Sequence, residues 1–331
     1  MNALLKILAT VVILMATINS ATLNGLTIVT TFSNIADDVR LLTCGNDTVY
    51  SIVPAGVDPH DYQLTPKDLE MLSNADIIVS TAHTSFELKI AELIRSGYLK
   101  ATLLEIPKLA GVKLLKIPGS NVINYHAVLY DPDNYLAFVK ELVNLTTSMR
   151  PECRDEYLAK LENITKAINE VKDDNLGRFR FKGVGSTPLT QYAVSWLGIE
   201  IKAILVKDLE LPPTPADLIN VEELIKGSSI DVAIVTDFGG TADKALTDIA
   251  SKYSVPVVKV PQYTAPGDTV SKMKMVVSQV KGLHNVSRMT NPANQAQYLT
   301  PLNEAPTLVA ILAVVIAISV AVAVKFLRPS R

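Results

Sequence analysis

Short apolar runs alternate with segments of helical periodicity through most of the chain. The apolar runs predict β-strands at residues 27–31, 50–53, 77–80, 102–106, 232–236 and 255–260. Helical patterns lie between or after them at residues 35–42, 66–72, 86–94, 188–196, 215–225 and 242–253. Strands that alternate with helices form parallel sheets covered by helices, so the pattern predicts an α/β protein built from two βα lobes.

One helical pattern is longer than the others. Across residues 151–172 apolar side chains recur every three or four positions, which predicts a helix of about six turns. This helix separates the two sets of strands. We therefore predict an N-terminal lobe at residues 22–150, a linking helix at residues 151–176 and a C-terminal lobe at residues 177–283.

The N-terminal end carries a short apolar segment. Residues 1–21 combine Lys6, an apolar run and small polar residues, which is typical of a secretory signal peptide. The alternative is an uncleaved anchor, but the run of about 12 residues is shorter than the roughly 20 needed to cross a bilayer. We predict a signal peptide.

The C-terminal end carries a longer apolar segment. Residues 307–324 contain two polar positions and are long enough for about 27 Å of helix. Three cationic residues follow it, and positive charge favours the cytoplasmic side of a membrane. We predict a transmembrane anchor at residues 305–327 and a polar tether at residues 284–304, with the body at the extracellular face of the membrane.

The composition agrees with an extracellular body. The 331 residues have a net charge of -2 without a basic patch, which argues against nucleic-acid binding. Cys44 and Cys153 either pair in an oxidising compartment or remain buried thiols. Four acceptor sequences for N-linked glycans predict a glycoprotein. They lie at Asn46, Asn144, Asn163 and Asn285.

Side chains that could bind a metal follow three of the predicted strands. His60 lies in a loop before a helix whose start is marked by a capping pattern of Thr65 and Asp68. His83 and Asp237 each follow a buried strand. Because ligand sites lie beyond the carboxyl ends of parallel strands, we expect these groups to border a cleft between the lobes. The alternative for either histidine is a solvent-facing loop side chain.

Four sequence blocks occur in a fixed order. Residues 27–33 and the stretch from Gly56 to Tyr62 come first, Asn124-Tyr125-His126 is second, a block near Thr187 is third, and the strand ending at Asp237 is last. In this order they resemble the zinc and manganese receptors of cluster A-I ABC importers, over residues 26–283. The resemblance implies metal ligands at His60, His126 and Asp237. It also implies that the long helix joins the two lobes as a stiff backbone.

The third block departs from the family, which has a ligand histidine where this chain has Thr187. A neutral hydroxyl is a poor ligand for zinc, so the remaining position is expected to be filled by water, by a second oxygen of Asp237 or by His83. Imidazole ligands favour zinc, whereas a site dominated by carboxylate and water favours manganese. Residues 108–122 contain neither histidine nor acid, unlike the loop of many zinc members. Zinc is favoured over manganese.

Three classes of function follow. The first is a monomeric receptor that captures a divalent metal ion and delivers it to an ABC permease and its ATPase. A metal hydrolase would need a general base, and the nearest carboxylates, Glu87 and Asp58, lie in no hydrolytic motif, so we expect no enzyme. The alternative to the receptor is an anchored surface adhesion or binding protein with a degenerate or metal-free site.

Overall fold

The computed structural model describes residues 25–290, except residues 58, 208–210 and 228, with the backbone alone for residues 285–290. The strands of this part are β1 (Thr27–Phe32), β2 (Thr48–Val53), β3 (Ile77–Ser80), β4 (Thr102–Glu105), β5 (Lys182–Gly185), β6 (Glu200–Ile204), β7 (Val232–Thr236) and β8 (Val257–Val260). The α-helices are α1 (Ser33–Arg40), α2 (Pro66–Ser73), α3 (Ser85–Arg95), α4 (Pro132–Met149), α5 (Arg154–Asp173), α6 (Gln191–Ser195), α7 (Pro215–Lys226), α8 (Thr241–Lys252) and α9 (Thr269–Thr290). Short 3₁₀ helices lie at Ile106–Lys108, Val128–Tyr130, Pro151–Cys153 and Pro188–Thr190.

The strands form two parallel sheets of four strands each. Their orders are β2-β1-β3-β4 and β6-β5-β7-β8, so both sheets have the same topology. One inner strand of each sheet, β3 in the first and β7 in the second, is buried along its whole length. The predicted α/β class with two parallel βα lobes is confirmed.

Two strands of the second sheet were missing from the sequence-based prediction. Strand β5 contains Gly183 and Gly185 and so lacks an apolar run, yet a Cβ at Gly183 would lie 2.6 Å from Cδ1 of Ile234. The position therefore requires glycine because the neighbouring strand approaches closely. Strand β6 lies at the sheet edge and exposes Glu200 and Lys202.

Element boundaries follow local signals. The predicted capping box at the start of α2 is present, with Thr65 accepting from the backbone N–H of Asp68. Thr214 forms an equivalent box with Asp217 at the start of α7. The last predicted strand begins at Val257 rather than Val255. The reason is that the backbone N–H of Val255 donates a hydrogen bond to the carbonyl of Ala250 at the end of α8, so it is not available for pairing between strands.

The predicted long helix is present as α5, preceded by the 3₁₀ helix Pro151–Cys153. Its apolar stripe is buried at Tyr157, Ile164, Ile168 and Val171. A disulfide joins Cys44 to Cys153 and fastens the start of α5 to the first lobe. In chain order α4 and α5 lie between the two sheets; the exact domain boundaries stay a prediction.

Asp38 of α1 forms a buried polar link between elements that are far apart in the chain. Its carboxylate accepts hydrogen bonds from the backbone N–H (2.8 Å) and hydroxyl (2.6 Å) of Thr269 at the start of α9. The hydroxyl of Tyr135 on α4 donates to it at 3.0 Å. Burial raises the pKa of Asp38 to about 6, although these hydrogen bonds act to lower it.

The C-terminal side of the described part corrects one prediction. Helix α9 continues to Thr290, so the first residues of the predicted tether 284–304 are helical. The polar composition there offers no face for packing, but a helix that has started gains one hydrogen bond for each added residue. The predicted signal peptide and anchor, residues 1–21 and 305–327, lie outside the described residues. Within the described part of the chain, no helix is long and apolar enough to cross a membrane.

Candidate metal centre

Three histidines from separate loops of the first lobe meet at one point. His60 follows β2, His83 follows β3, and His126 precedes the 3₁₀ helix Val128–Tyr130. One ring nitrogen from each lies within 4.8 Å of the other two. The ring centroids are 5.8 Å apart for His60 and His83, 5.6 Å for His60 and His126, and 5.0 Å for His83 and His126. In the part of the chain that the structure describes, this is the one group of three or more potential metal ligands of the His, Cys, Asp and Glu types.

The capping box of α2 also fixes the loop that carries His60. The carboxylate of Asp68 accepts from the backbone N–H of Thr65 at 2.8 Å and from the hydroxyl of Tyr62 at 2.9 Å. Tyr62 lies two residues after His60, and its ring packs edge-on against Phe86, with ring centroids 5.4 Å apart. The helix signal in the sequence therefore positions a candidate ligand as well.

His83 is oriented through Thr81 and the buried Glu87. The Thr81 hydroxyl lies 2.9 and 2.8 Å from the two carboxylate oxygens of Glu87 and 2.8 Å from Nδ1 of His83. Because the single hydroxyl proton goes to the carboxylate, the hydroxyl oxygen accepts from Nδ1–H of His83. The Nε2 atom of His83 then carries a lone pair that can bind a metal.

His126 is oriented by Asn124 in the same way. Both amide protons of Asn124 are used, since Nδ2 donates to the carbonyl of Pro188 and to Oε1 of Gln191 at 2.9 Å each. Its Oδ1 atom, an acceptor, lies 3.1 Å from Nδ1 of His126. His126 therefore holds its proton on Nδ1 and presents the lone pair of Nε2.

Left-handed backbone flanks two of the histidines. Ala82, directly before His83, has φ +55°, and Ala127, directly after His126, has φ +54°. This conformation is unfavourable for a residue with a Cβ, by about 1–2 kcal/mol, and persists where surrounding contacts impose it. At Ala82 the contact is a hydrogen bond from its N–H to the hydroxyl of Ser80 at 2.9 Å.

The surroundings keep two imidazoles neutral. Burial lowers the pKa of His126 to about 3, and the nearby His83 and His60 contribute in the same direction. Burial also lowers the pKa of His83, despite the opposing attraction of Glu87. Neutral imidazole is the form that binds metal, so these two groups are ready to act as ligands at neutral pH.

The other two predicted positions lie on the second lobe and differ from each other. Thr187 follows β5 and is buried, and its hydroxyl has no hydrogen-bond partner among the described residues. Asp237 follows β7 and is exposed, and its Oδ1 accepts the backbone N–H of Gln262 at 2.6 Å. The structure brings three of the four predicted ligands together, and Asp237 is not in that group. Its role as a ligand stays a prediction.

The three histidines open onto a cavity of about 360 Å³ between the lobes. Thr187 lies in its wall on the second lobe. Much of the remaining wall is apolar and comes from both lobes. These residues include Phe32, Val57, Ile106, Leu129, Leu189, Val206, Leu211 and Phe238.

The groups that orient the histidines were not identified from the sequence. Thr84 and Glu87 do form a capping box at α3, a pattern that could have placed the buried carboxylate beside His83. No comparable signal marks Asn124, because its partners Pro188 and Gln191 are 64 and 67 residues away.

Comparison with known proteins shows what this chain resembles. The family model described as zinc-uptake complex component A, periplasmic, matches residues 28–285. The manganese ABC transporter substrate-binding lipoprotein PsaA of Streptococcus pneumoniae is 22% identical over 244 residues, covering 70% of this chain and 78% of that protein. A metal ABC transporter substrate-binding lipoprotein of Lactococcus lactis is 25% identical over 158 residues, covering 46% of this chain and half (50%) of that relative.

A solved structure has the same fold. The substrate-binding protein FpvC of Pseudomonas aeruginosa, in complex with Ni²⁺, aligns with a TM-score of 0.66 at 19% identity. The alignment covers 80% of this chain and 98% of that one. The arrangement of two parallel sheets is therefore shared at low sequence identity.

Proposed function

This chain belongs to the family of periplasmic zinc-uptake complex component A proteins, and from this premise we propose that it is the receptor of an ABC importer that captures a divalent metal ion between its lobes. Relatives in the family are named substrate-binding lipoproteins of ABC transporters, which confirms the expectation of a binding protein rather than an enzyme. Such substrate-binding proteins work with a membrane permease and an ATPase. Delivery of the ion to these partners is part of the proposal.

The observation that carries the proposal is the group formed by His60, His83 and His126. The hydrogen bonds of Thr81 and Asn124 leave the Nε2 lone pairs of His83 and His126 available. Three imidazole nitrogens form a typical set of protein ligands for a zinc ion that keeps a fourth position for another group. The same group favours metal capture over the alternative of a metal-free adhesion protein.

Zinc is the proposed ion. Imidazole suits zinc, whereas manganese prefers carboxylate, carbonyl and water oxygens. One relative is named for manganese and the family for zinc uptake, so the names do not identify the ion. The choice between zinc and manganese therefore rests on the chemistry of the ligands. The nitrogen-rich group supports zinc.

Metal analysis and thermal unfolding test the proposal. The purified body, residues 22–304, is expected to bind about one zinc ion per chain. A metal that binds only the folded state at a hundredfold excess over Kd adds about 2.7 kcal/mol to the free energy of unfolding. The matched control is the triple variant His60→Ala, His83→Ala, His126→Ala, which should show no metal-dependent change in Tm. Absence of bound metal together with an unchanged Tm in the parent protein would refute the receptor.

We also propose that the receptor lies on the extracellular face and is held there by residues 305–327 as a monomer. The Cys44–Cys153 disulfide supports an oxidising compartment. Because these two cysteines are bonded to each other, neither is free to carry a lipid of the kind implied by the relatives' names. Protease added to intact cells should remove the body, and deletion from Pro306 onward should release soluble protein. Release of the full-length chain by a high-salt wash would contradict this anchor.

A further inference from the structure

A tyrosine hydroxyl joins the segment of His126 to the second lobe. Tyr130 ends the 3₁₀ helix that begins two residues after His126, and its side chain is 1% exposed. The hydroxyl donates a hydrogen bond of 2.5 Å to the backbone carbonyl of Pro261, the first residue after β8. The ring also packs edge-on against that of Tyr263, with ring centroids 5.7 Å apart. These contacts link parts of the chain that are about 130 residues apart.

The hydroxyl of Tyr130 is a permanent donor at neutral pH. Burial raises its pKa well above the ordinary value of 10, and the nearby Tyr263 and Asp237 act in the same direction. The hydroxyl therefore keeps its proton and donates it to the carbonyl, which can only accept. The effect of Asp237 on this pKa also places its carboxylate near enough to act on the hydroxyl.

The residue after Pro261 holds the carboxylate of Asp237. The backbone N–H of Gln262 donates to Oδ1 of Asp237 at 2.6 Å. The backbone N–H of Asp237 donates to the carbonyl of Val260 at 2.9 Å, so the main chain of Asp237 is fixed beside the same segment. Hydrogen bonds to a carboxylate that binds metal fix its orientation.

One peptide unit thus takes part in both contacts. It carries the carbonyl of Pro261, which accepts from Tyr130, and the N–H of Gln262, which donates to Asp237. The unit is planar, so the direction of its carbonyl also sets the direction of its N–H. A hydrogen bond to the carbonyl polarises the unit and strengthens the bond that the N–H donates. Two hydrogen bonds in series therefore run from the segment of His126 to Asp237.

The rest of this segment is fastened by other groups. The buried Lys272 donates to the carbonyl of Tyr263 at 3.1 Å and to that of Ala265. The backbone N–H of Gly267 donates to the carboxylate of Asp37 at 2.8 Å. Loss of the Tyr130 hydroxyl should therefore leave the path of the segment in place and change chiefly the peptide unit that it contacts.

From this geometry we propose that Tyr130 is a positioning residue of the metal site, which holds the carboxylate of Asp237 at a fixed place relative to His126. It acts through the peptide unit between Pro261 and Gln262. The inference rests on the proposed function and on Asp237 as the predicted ligand of the second lobe. A ligand that is held in place before the ion arrives loses less conformational freedom on binding, which tightens the complex. Because the positioned group is a carboxylate, the gain is larger for manganese, which prefers oxygen ligands, than for zinc.

Tyr130→Phe tests the inference, because it removes one hydroxyl and keeps the ring. Affinities of the full-length protein for Zn²⁺ and for Mn²⁺ are measured by competition with a metal-binding dye. We expect Mn²⁺ binding to weaken by about tenfold and Zn²⁺ binding by less, so that the preference for zinc increases. The matched control is Tyr157→Phe, which removes an equally buried hydroxyl that donates to Asp47 at 2.6 Å. That variant should keep the parent's ratio of affinities, since general destabilisation does not favour one ion.

The background Asp237→Ala shows whether Tyr130 acts through this carboxylate. Asp237→Ala should weaken Mn²⁺ binding by itself, and Tyr130→Phe should then have no further effect, because the group that it positions is gone. An equal effect of Tyr130→Phe in both backgrounds would overturn the inference. So would an unchanged ratio of affinities in Tyr130→Phe, or unchanged Mn²⁺ binding in Asp237→Ala. If the parent protein bound neither ion, the proposed function itself would fail.

Discussion

The Oδ1 atom of Asn124 accepts a hydrogen bond from Nδ1 of His126 over 3.1 Å, and this contact couples a histidine of the first lobe to the second. The coupling follows because the amide nitrogen of Asn124 donates to Pro188 and Gln191, which belong to the segment between β5 and β6. Asn124 is fully buried. The orientation of His126 therefore depends on how the lobes pack.

Asn124→Leu should weaken zinc binding by about 10–100-fold, the usual effect of losing a hydrogen-bond partner of a ligand. The isosteric side chain leaves the His126 ring free to rotate. Competition with a zinc-binding dye measures the affinity. The control is Asn134→Leu, which removes an equally buried amide whose hydrogen bonds go to the backbone of Lys113 and Val128. Equal losses of affinity in both variants would mean that the effect is general destabilisation.

Single alanine substitutions at the three histidines should weaken zinc binding by similar factors, each larger than that of Asn124→Leu. Each removes one nitrogen that binds the ion directly, whereas Asn124 only orients one. The change His284→Ala serves as the control, because the fourth histidine of the chain is not in the group. If His83→Ala left affinity unchanged while His60→Ala did not, His83 would be a neighbour of the site rather than a ligand.

Asp38→Asn should change how the stability of the metal-free protein depends on pH. The folded pKa of Asp38 is about 6, above its ordinary value of 3.8, so the folded state binds this proton more tightly than the unfolded state. The unfolding free energy should therefore fall as pH rises from about 4 to about 6, by roughly 3 kcal/mol from this group. The asparagine variant lacks that decrease. Urea unfolding of both proteins at pH 4, 5, 6 and 7 measures the difference, and parallel curves would contradict the prediction.

Removal of the disulfide should lower the free energy of unfolding by about 2–5 kcal/mol, because the bond closes a long loop between Cys44 and Cys153. Cys44→Ser, Cys153→Ser and the double variant should lose similar amounts, since each breaks the same bond. The parent protein in reducing agent provides the matched comparison. Zinc affinity should be retained, because Cys44 lies before β2, whereas His60 lies beyond the opposite end of that strand and His83 beyond the end of β3. A larger loss in the double variant than in either single variant would indicate a role beyond the bond.

The sequence alone determined the elements that rest on local signals. The strands at Ile77–Ser80 and Val232–Thr236 are continuous apolar runs, and the starts of α2 and α7 are marked by Thr65 and Thr214. These signals act within a few residues, so they can be recognised without knowing the fold. The ordered motifs likewise identified His60 and His126 as candidate ligands.

Tertiary structure decided the parts that depend on distant neighbours. Strand β5 has no apolar run that would predict it from the sequence. Position 183 requires glycine because the side chain of Ile234 on the neighbouring strand leaves no room for a Cβ. His83 could have been a ligand or a solvent-facing side chain. Its place beside His60 results from the parallel pairing of β2 and β3 with β1, which aligns the ends of the strands that precede the two histidines. Asp237 also follows a strand, yet its carboxylate turns to the backbone of Gln262. The spacing of residues along the chain does not determine these side-chain positions, because they depend on contacts between groups that come together only on folding.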